Sequence, residues 1–350
     1  MKLTQSVGIV SYGVDIPHYR IKISEIAAAW SKSGTDIERS LGLIEKTVPG
    51  PDEDSLTLAV NAALQMALRA PLKLIENTGA VYVGSESHPY AVKPTAVTVA
   101  EALGLGNKFT AADLEFACKA GTAALQIVSG MVAGGLITAG LAIGADTAQS
   151  RPADALEFSA GAAAAAYLIG RTNIIAKLLY TLSFSSDTPD FWRRGHALYP
   201  SHGGRFTGEP AYFRHVVSAI KLILEESRHK ISDFDHVVLH MPNARFPKTA
   251  AKMLGITDKQ LQAGFQVPLL GNSYSACSLV GLAAVLDVAK SGELILVCSY
   301  GSGSGSDAFI YKVTDKIKQL NRSNPVREKV ADKEYVSYST YIKNMKKLKL

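Results

Sequence analysis

One ordered series of segments occurs twice along these 350 residues, and that repetition constrains the fold more than any single motif does. The strand-like VYVGSES at 81–87 answers to VVLHMPN at 237–243, placing Gly84 opposite His240 at an offset of 156. The Ala-rich helical stretch after Cys118 answers to SACSLVGLAAVLDVAK, with Gly121 opposite Gly281 at an offset of 160. LAIGADTA then matches LILVCSYGS, with Gly144 opposite Ser299 at an offset of 155, and AAAAAYLIG matches SDAFIYKV. Residue identity between the copies is low, so what repeats is the order and spacing of apolar stretches. The chain is expected to be a duplicated strand/helix unit, with halves 1–172 and 173–350. Equivalent strands of two packed halves end near one pseudo-twofold axis, so loops from both can converge on one site.

Within each copy, short apolar strands alternate with helical stretches, the pattern of α/β layering around buried sheets. Strands are expected at Ala80–Val83, Leu141–Gly144, Ala162–Gly170, His236–Leu239 and Leu294–Ser299, each an unbroken apolar run of the kind covered on both faces. Asp54–Ala70 reads as an amphipathic helix opening on acidic residues, and Phe213–His229 as one closing on basic ones. Hydrophobic residues at 47% and charged residues at 19% suit a compact enzyme-like chain and exclude a disordered one. No apolar run approaches the roughly 20 residues of a membrane span, and MKLTQSVGIVSYG lacks the apolar stretch of a signal peptide. A cytoplasmic protein without membrane contact is expected.

The three cysteines, Cys118, Cys277 and Cys298, are far apart, with no CxxC pair and no histidine at metal-ligand spacing. Neither a disulfide framework nor a zinc site is suggested, and no metal is expected. The net charge of +6 gathers partly in the tail Tyr341–Leu350, YIKNMKKLKL, which reads as a solvated face or an interaction segment. Without a nucleic-acid module it does not point to RNA or DNA.

Four segments place a polar group just beyond a buried element: GSESH with Glu86, EFACKAG with Cys118, VLHMPN with His240 and GNSYSA with Asn272. Each has an ordinary explanation as well: a small buried thiol, a solvated loop glutamate, a capping histidine, a turn asparagine. Their occurrence at repeat-related positions is the informative part. A cysteine at the start of a helix feels the positive end of the macrodipole and unpaired N–H groups, and with a nearby imidazole it is expected to sit below its usual pKa as a nucleophile. The glycine-rich turn Gly301–Gly305 is either a flexible hairpin or a set of oxyanion donors; no GKS or GKT follows, so a phosphate-binding loop is excluded.

Taken together, EFACKAGTAAL, GSESHPYAVKPTA, HGGRFTGEPAYF, LHMPNARFP, GNSYSACS and SYGSGSGSDAF resemble the motifs of archaeal hydroxymethylglutaryl-CoA synthases, within the thiolase superfamily. The resemblance runs through nearly the whole chain and is weakest between Lys32 and Ile44 and near the C-terminus. It implies an α/β thiolase fold, two pseudo-symmetric halves in a five-layered αβαβα sandwich, working as a homodimer in the mevalonate pathway of isoprenoid biosynthesis.

That resemblance implies an acyltransferase condensing acetyl-CoA with acetoacetyl-CoA, in which Cys118 carries the acetyl group, Glu86 is the base and His240 the acid at the acceptor ketone. Asn272 would orient the acceptor, and Ser159, Thr207, Gly301 and Ser302 would lie against the acyl groups. In NARFPKTAAKML, Pro247 suits a helix start and puts Lys248 and Lys252 on one face, so Arg245 and Lys248 are candidates for binding CoA, with a solvated helix face as the alternative. No cofactor beyond these two substrates is expected. The implied partners are an acetoacetyl-CoA thiolase and a small zinc-ribbon/OB-fold scaffold protein. A chain-initiating ketoacyl synthase would share Cys118, His240 and Asn272 but decarboxylate a malonyl thioester instead of using Glu86. A non-catalytic thiolase-like scaffold subunit would not need the three reactive groups.

Overall fold

The computed structural model describes residues 5–347. In the first half, strands β1 (Gly8–Asp15), β4 (Thr78–Gly84), β5 (Thr110–Leu114), β6 (Ala139–Thr147) and β7 (Ala162–Gly170) pair in the order β5-β4-β6-β7-β1. In the second half, β8 (Ala176–Ser185), β11 (His236–Leu239), β12 (Leu294–Cys298) and β13 (Gly305–Val313) pair in the order β11-β12-β13-β8. The two sets share one pattern: β4 with β6 and β11 with β12 are parallel, whereas β6-β7-β1 and β12-β13-β8 are antiparallel. They join through a short antiparallel contact of β1 with β8, Gly8 opposite Lys177 and Ile9 opposite Ala176. The buried element expected before Cys118 is strand β5, which carries no bounds in the sequence reading and proves half-exposed rather than buried; among the described residues the second half has no counterpart to it.

Helices fill three layers around these sheets. Among them are α1 (Ser55–Leu68), α2 (Thr95–Ala102), α3 (Ala120–Ala133), α4 (Phe213–Ser227), α5 (Arg245–Leu254) and α6 (Cys277–Val288), while α7 (Tyr338–Asn344) lies outside the layers. Leu125, Val128 and Val132 of α3 and Leu279, Leu282 and Leu286 of α6 fill the middle layer, between Tyr12, Tyr167 and Ile169 of one sheet and Ile295, Val297 and Phe309 of the other. On the outer face of the first sheet, Leu58, Ala62 and Met66 of α1 and Val99 of α2 cover Val83, Ile143 and Leu168. On the opposite side, Val216 and Ile220 of α4 and Ala250 of α5 cover Leu239, Leu296 and Ile310. Ile295 and Val297 thus face one core while Leu296 faces another, which is why the strand reads as an unbroken apolar run. This is the expected five-layered α/β sandwich.

Two local expectations change. Asp54 lies outside α1 and caps it, accepting from Thr57 N–H at 2.8 Å while Thr57 Oγ1 accepts from Asp54 N–H. Helix α4 ends at Ser227, because Arg228 turns into the left-handed region (φ 58°), so the basic residues lie beyond the helix. The described part of the tail is folded on one face and solvated on the other, with Lys343 and Lys346 exposed. Strand β14 (Glu334–Tyr335) pairs with β2 (Tyr19–Lys22), which pairs with β3 (Glu45–Val48), and Tyr341 of α7 is buried against this small sheet. Lys347 Nζ lies 2.6 Å from Tyr341 Oη and 3.1 Å from Ser150 Oγ. Leu348–Leu350 of the tail lie outside the described residues.

Candidate active site

Glu86 follows β4 directly, and the end of β6 holds it in place. Asp146 Oδ1 accepts from Ser85 Oγ at 2.7 Å, from Glu86 N–H at 2.9 Å and from Ser87 Oγ at 2.5 Å. Its other oxygen, Oδ2, accepts from the N–H and hydroxyl of Ser275, at 2.9 and 2.5 Å, in the GNSYSACS loop of the second half. The glutamate loop and the asparagine loop are therefore tied to one buried carboxylate. Close packing under them requires glycine: a Cβ on Gly84 would fall 2.1 Å from the Ala120 carbonyl carbon, and one on Gly121 would fall 2.6 Å from Ser275 O.

Cys118 sits in the turn between β5 and α3, after Ala117, whose φ of 42° is in the sparsely populated left-handed region. The thiol is buried with Ala148, Ala160 and Tyr274, beside Phe191. It donates to Glu86 Oε1 at 3.6 Å. Burial first, then the Asp146 carboxylate, pushes Glu86 well above the usual carboxylate range. Burial, followed by the charges of Glu86 and Asp146, likewise holds the Cys118 thiol well above its ordinary value. The expectation of a preformed thiolate is corrected here. Helix α3 begins two residues after the sulfur, and the groups nearest the thiol are carboxylates rather than a cation.

His240 is the first residue past β11, with its N–H on Cys298 O at 2.9 Å and its carbonyl accepting from Tyr212 Oη at 2.7 Å. The ring leans on Tyr300, centroids 6.2 Å apart, and both ring nitrogens are buried without a partner. Burial lowers its pKa to about 3, so the imidazole is neutral. It can donate a hydrogen bond through N–H, but it is not the cationic acid that would also have stabilised a thiolate. Buried polar nitrogens without a protein partner are costly, so this ring is available to a further hydrogen bond.

Asn272 bridges the halves: its N–H donates to Ser159 O at 2.7 Å, and its carbonyl accepts from Gly161 N–H at 2.8 Å. Tyr274 N–H occupies Asn272 Oδ1 at 2.9 Å, which leaves the amide Nδ2 as its donor. This brings Ser159 beside the Cys118 cluster through Ala160. Ser302 lines a cleft of about 210 Å³ with Glu86, Glu115, Ala117, Phe191, Trp192 and Arg193. The rest of the glycine turn has its N–H groups engaged: Gly301 N–H donates to Gly305 O and Ser304 N–H to Gly301 O within the turn, and Gly303 N–H donates to Asp190 Oδ1 outside it. Gly301 is therefore not an oxyanion donor; it lets the turn pack on Phe116 O, which a Cβ would approach to 2.7 Å.

Thr207, half-buried in the turn before α4, does not line that cleft. Arg245 and Lys248 lie on the flank of the second half, where Arg245 Nη2 donates to Arg39 O at 3.0 Å. Lys248 Nζ stands 5.2 Å over the Phe265 ring, at the edge of a hollow of about 460 Å³ shared with Asp258, Lys259 and Gln262. Among the described residues, no cluster of three or more His, Cys, Asp or Glu side chains is arranged to hold a metal. No helix among them is long and apolar enough to cross a membrane. Sequence reasoning missed Asp146, although an acid closing the buried strand LAIGADTA was a usable signal, since a carboxylate there must gather donors.

The profile of the 3-oxoacyl-[acyl-carrier-protein] synthase III C terminal matches residues 224–313. Among solved structures, an HMG-CoA synthase complexed with CoA superposes with a TM-score of 0.87 at 22% identity, covering 97% of this chain and 90% of that one. MvaS in complex with 3-hydroxy-3-methylglutaryl coenzyme A gives 0.88 at 21% identity, covering 98% and 92%. These likenesses concern the fold. Sequence relatives are much nearer: the hydroxymethylglutaryl-CoA synthase of Methanocaldococcus jannaschii is 53% identical over 98% of this chain and 99% of its own length. That of Archaeoglobus fulgidus is 57% identical over 98% and 99%. With near-complete coverage at such identity, the chain belongs to the hydroxymethylglutaryl-CoA synthase family.

Proposed function

We propose that this protein condenses acetyl-CoA with acetoacetyl-CoA and water, giving 3-hydroxy-3-methylglutaryl-CoA and CoA, as a step of the mevalonate pathway. The observation that carries the reading is the buried contact of the Cys118 thiol with Glu86 Oε1 at 3.6 Å. A thiol held protonated beside a carboxylate of raised pKa needs no preformed thiolate; its proton passes to Glu86 as sulfur attacks the acetyl carbonyl. The C–S bond to CoA then breaks, CoA leaves as the thiol with that proton, and the acetyl group stays on Cys118.

Glu86, ionised again, takes a proton from the acetyl methyl. A desolvated carboxylate is a stronger base toward carbon than one in water. The new carbanion adds to the ketone of acetoacetyl-CoA, forming the carbon–carbon bond. The oxygen that becomes an alkoxide is met by the N–H donors of neutral His240 and Asn272; His240 gives it a proton to form the tertiary alcohol and takes one from Glu86, which is thereby ionised again. Water, deprotonated by Glu86, finally attacks the Cys118 thioester; the C–S bond breaks, the sulfur takes that proton back from Glu86 to restore the thiol, and the product leaves with its free carboxylate.

Ser159 and Ser302 are assigned to the acyl groups, Thr207 to the wall leading to them, and Arg245 and Lys248 to CoA. No metal or redox cofactor takes part in the proposed steps. The ketoacyl synthase alternative matches the C-terminal profile but leaves Glu86 against the nucleophile without a task. The proposal further includes halves at 1–172 and 173–350, supported by β7 ending at Gly170 and β8 starting at Ala176. It also includes a cytoplasmic homodimer that works with an acetoacetyl-CoA thiolase and a zinc-ribbon/OB-fold scaffold.

The test is to incubate the protein with acetyl-CoA plus acetoacetyl-CoA and, separately, with acetyl-CoA plus a malonyl thioester. Hydroxymethylglutaryl-CoA from the first pair supports the reading; product from the second pair alone overturns it.

A further inference from the structure

The residue after the nucleophile, Lys119, has no place in the steps above, yet its side chain is 6% exposed and carries a charge. Its Nζ lies 2.9 Å from Asp307 Oδ1, and Asp307 is fully buried. Asp307 is itself fixed: Thr122 Oγ1 donates to Oδ2 at 2.9 Å and Ser183 Oγ to Oδ1 at 2.7 Å, and its backbone is paired opposite Ser183 between β13 and β8. At the other end, Lys119 N–H donates to Phe116 O at 3.2 Å, and Nζ stands 3.9 Å from the Phe116 ring centroid. The lysine stem also packs on the turn carrying Ser302, where a Cβ on Gly301 would come within 2.7 Å of Lys119 Cγ.

We propose that Lys119 is a positioning residue: its ion pair with Asp307 ties the Cys118 turn of the first half to β13 of the second, fixing the thiol between Glu86 and the Ser302 turn. The inference rests on Cys118 being the acetyl carrier. Ala117 in the left-handed region leaves the Cys118 turn in a conformation that needs external restraint. The ammonium anchors that turn in the opposite half, beside the bond of Thr122 Oγ1 to the same carboxylate. A buried ion pair adds little stability over apolar residues of similar volume, so stability alone is a weak reason to keep one beside a nucleophile. Misplacement of a reacting group by about 1 Å costs on the order of 10²-fold in rate.

The experiment compares Lys119→Met, Lys119→Arg and the double variant Lys119→Met/Asp307→Leu. It measures melting temperature, the single-turnover rate of Cys118 acetylation by acetyl-CoA followed by intact mass, and KM for acetyl-CoA. Lys119→Met strands a buried carboxylate and is expected to lose both stability and rate. The double variant removes both charges, so its melting temperature recovers, while acetylation stays about 10²-fold slow with KM changed less than about threefold. Lys119→Arg keeps the pair and is expected to retain at least about one tenth of the original rate.

A folded double variant that acetylates at the original rate overturns the proposal. Should that variant not fold, Lys119→Arg decides: acetylation no faster than in Lys119→Met overturns the proposal, and recovery supports it. If the unsubstituted protein takes no acetyl group on Cys118, the nucleophile assignment fails as well, which separates the two failures.

Discussion

Asp146→Asn tests whether one carboxylate holds the catalytic base in place. Asp146 accepts five hydrogen bonds, two of them from main-chain N–H groups, Glu86 on one oxygen and Ser275 on the other. An asparagine that keeps its oxygen toward the Glu86 loop turns its NH₂ toward Ser275. The Ser275 hydroxyl can rotate to accept, but its N–H cannot, so one buried donor is orphaned at about 1–3 kcal/mol. The three remaining bonds lose their charge assistance, about 1 kcal/mol each. Relief from burying an ionised carboxylate offsets part of this, and a net loss of about 3 kcal/mol is expected, read as a lower denaturant midpoint at unchanged slope. The catalytic readout is independent of the stability one. Asp146 raises the pKa of Glu86, so without its charge Glu86 ionises at lower pH and the acid limb of kcat/KM moves to lower pH. Displacement of the Glu86 loop lowers kcat by about 10²-fold. An Asp146→Asn protein with unshifted acid limb and undiminished kcat would refute the anchoring role.

Cys118→Ala is expected to abolish both acetylation and condensation, while Glu86→Ala still acetylates, more slowly, and makes no hydroxymethylglutaryl-CoA; mass spectrometry of the protein and of the products checks both. Gly121→Ala forces a Cβ to 2.6 Å from Ser275 O, and overpacking of this kind costs about 1–3 kcal/mol, to be read from equilibrium unfolding. For His240, the folded pKa of about 3 lies below the ordinary 6.5, so between these values the unfolded chain binds the extra proton. Its contribution is fully present above pH 6.5 and is lost as pH falls toward 3, up to about 4–5 kcal/mol; unfolding curves of His240→Gln should lack that part of the slope.

The layered fold was legible because burial on both faces writes each strand as an apolar run, and the duplication writes that pattern twice. Ala162–Gly170 and His236–Leu239 have the expected bounds for this reason. Strand β5 escaped because its side chains are only half-covered, leaving no period to detect. Glu86 was legible as a polar interruption after buried β4 and Cys118 as a thiol at the start of a helix, and their contact follows from β4 and β5 lying side by side in parallel. The roles of Asp146 and Lys119 were not, because each acts through partners distant in sequence, Asp146 through Ser275, 129 residues on, and Lys119 through Asp307, although Asp146 left the signal of an acid closing a buried strand. The folded tail was illegible for a related reason. Lys347 counts as a surface charge by composition, yet it is 2% exposed and lies 3.9 Å from Glu157.

The ionisation of Cys118 shows where local rules fail. A thiol just before a helix suggests a thiolate when the helix alone is considered, but burial and two nearby carboxylates outweigh a partial charge that decays within a turn. The outcome suits a reaction in which one base must serve several times. A standing thiolate beside Glu86 would repel the very carboxylate that has to approach the acetyl methyl. A neutral thiol lets Glu86 come to 3.6 Å without that repulsion and hands over its proton only as the sulfur bonds to carbon. Once acetylated, the sulfur carries no charge, and Glu86 regains its full basicity toward the carbon it must deprotonate. His240 fits the same logic: a cation there would draw the thiolate and the carboxylate toward itself, whereas a neutral imidazole with two unpaired nitrogens suits the proposed hydrogen bond to the acceptor's oxygen. The site keeps the proton on sulfur, with Glu86 beside it to receive that proton, until substrate arrives, and in the proposed reaction the order of the steps follows from that.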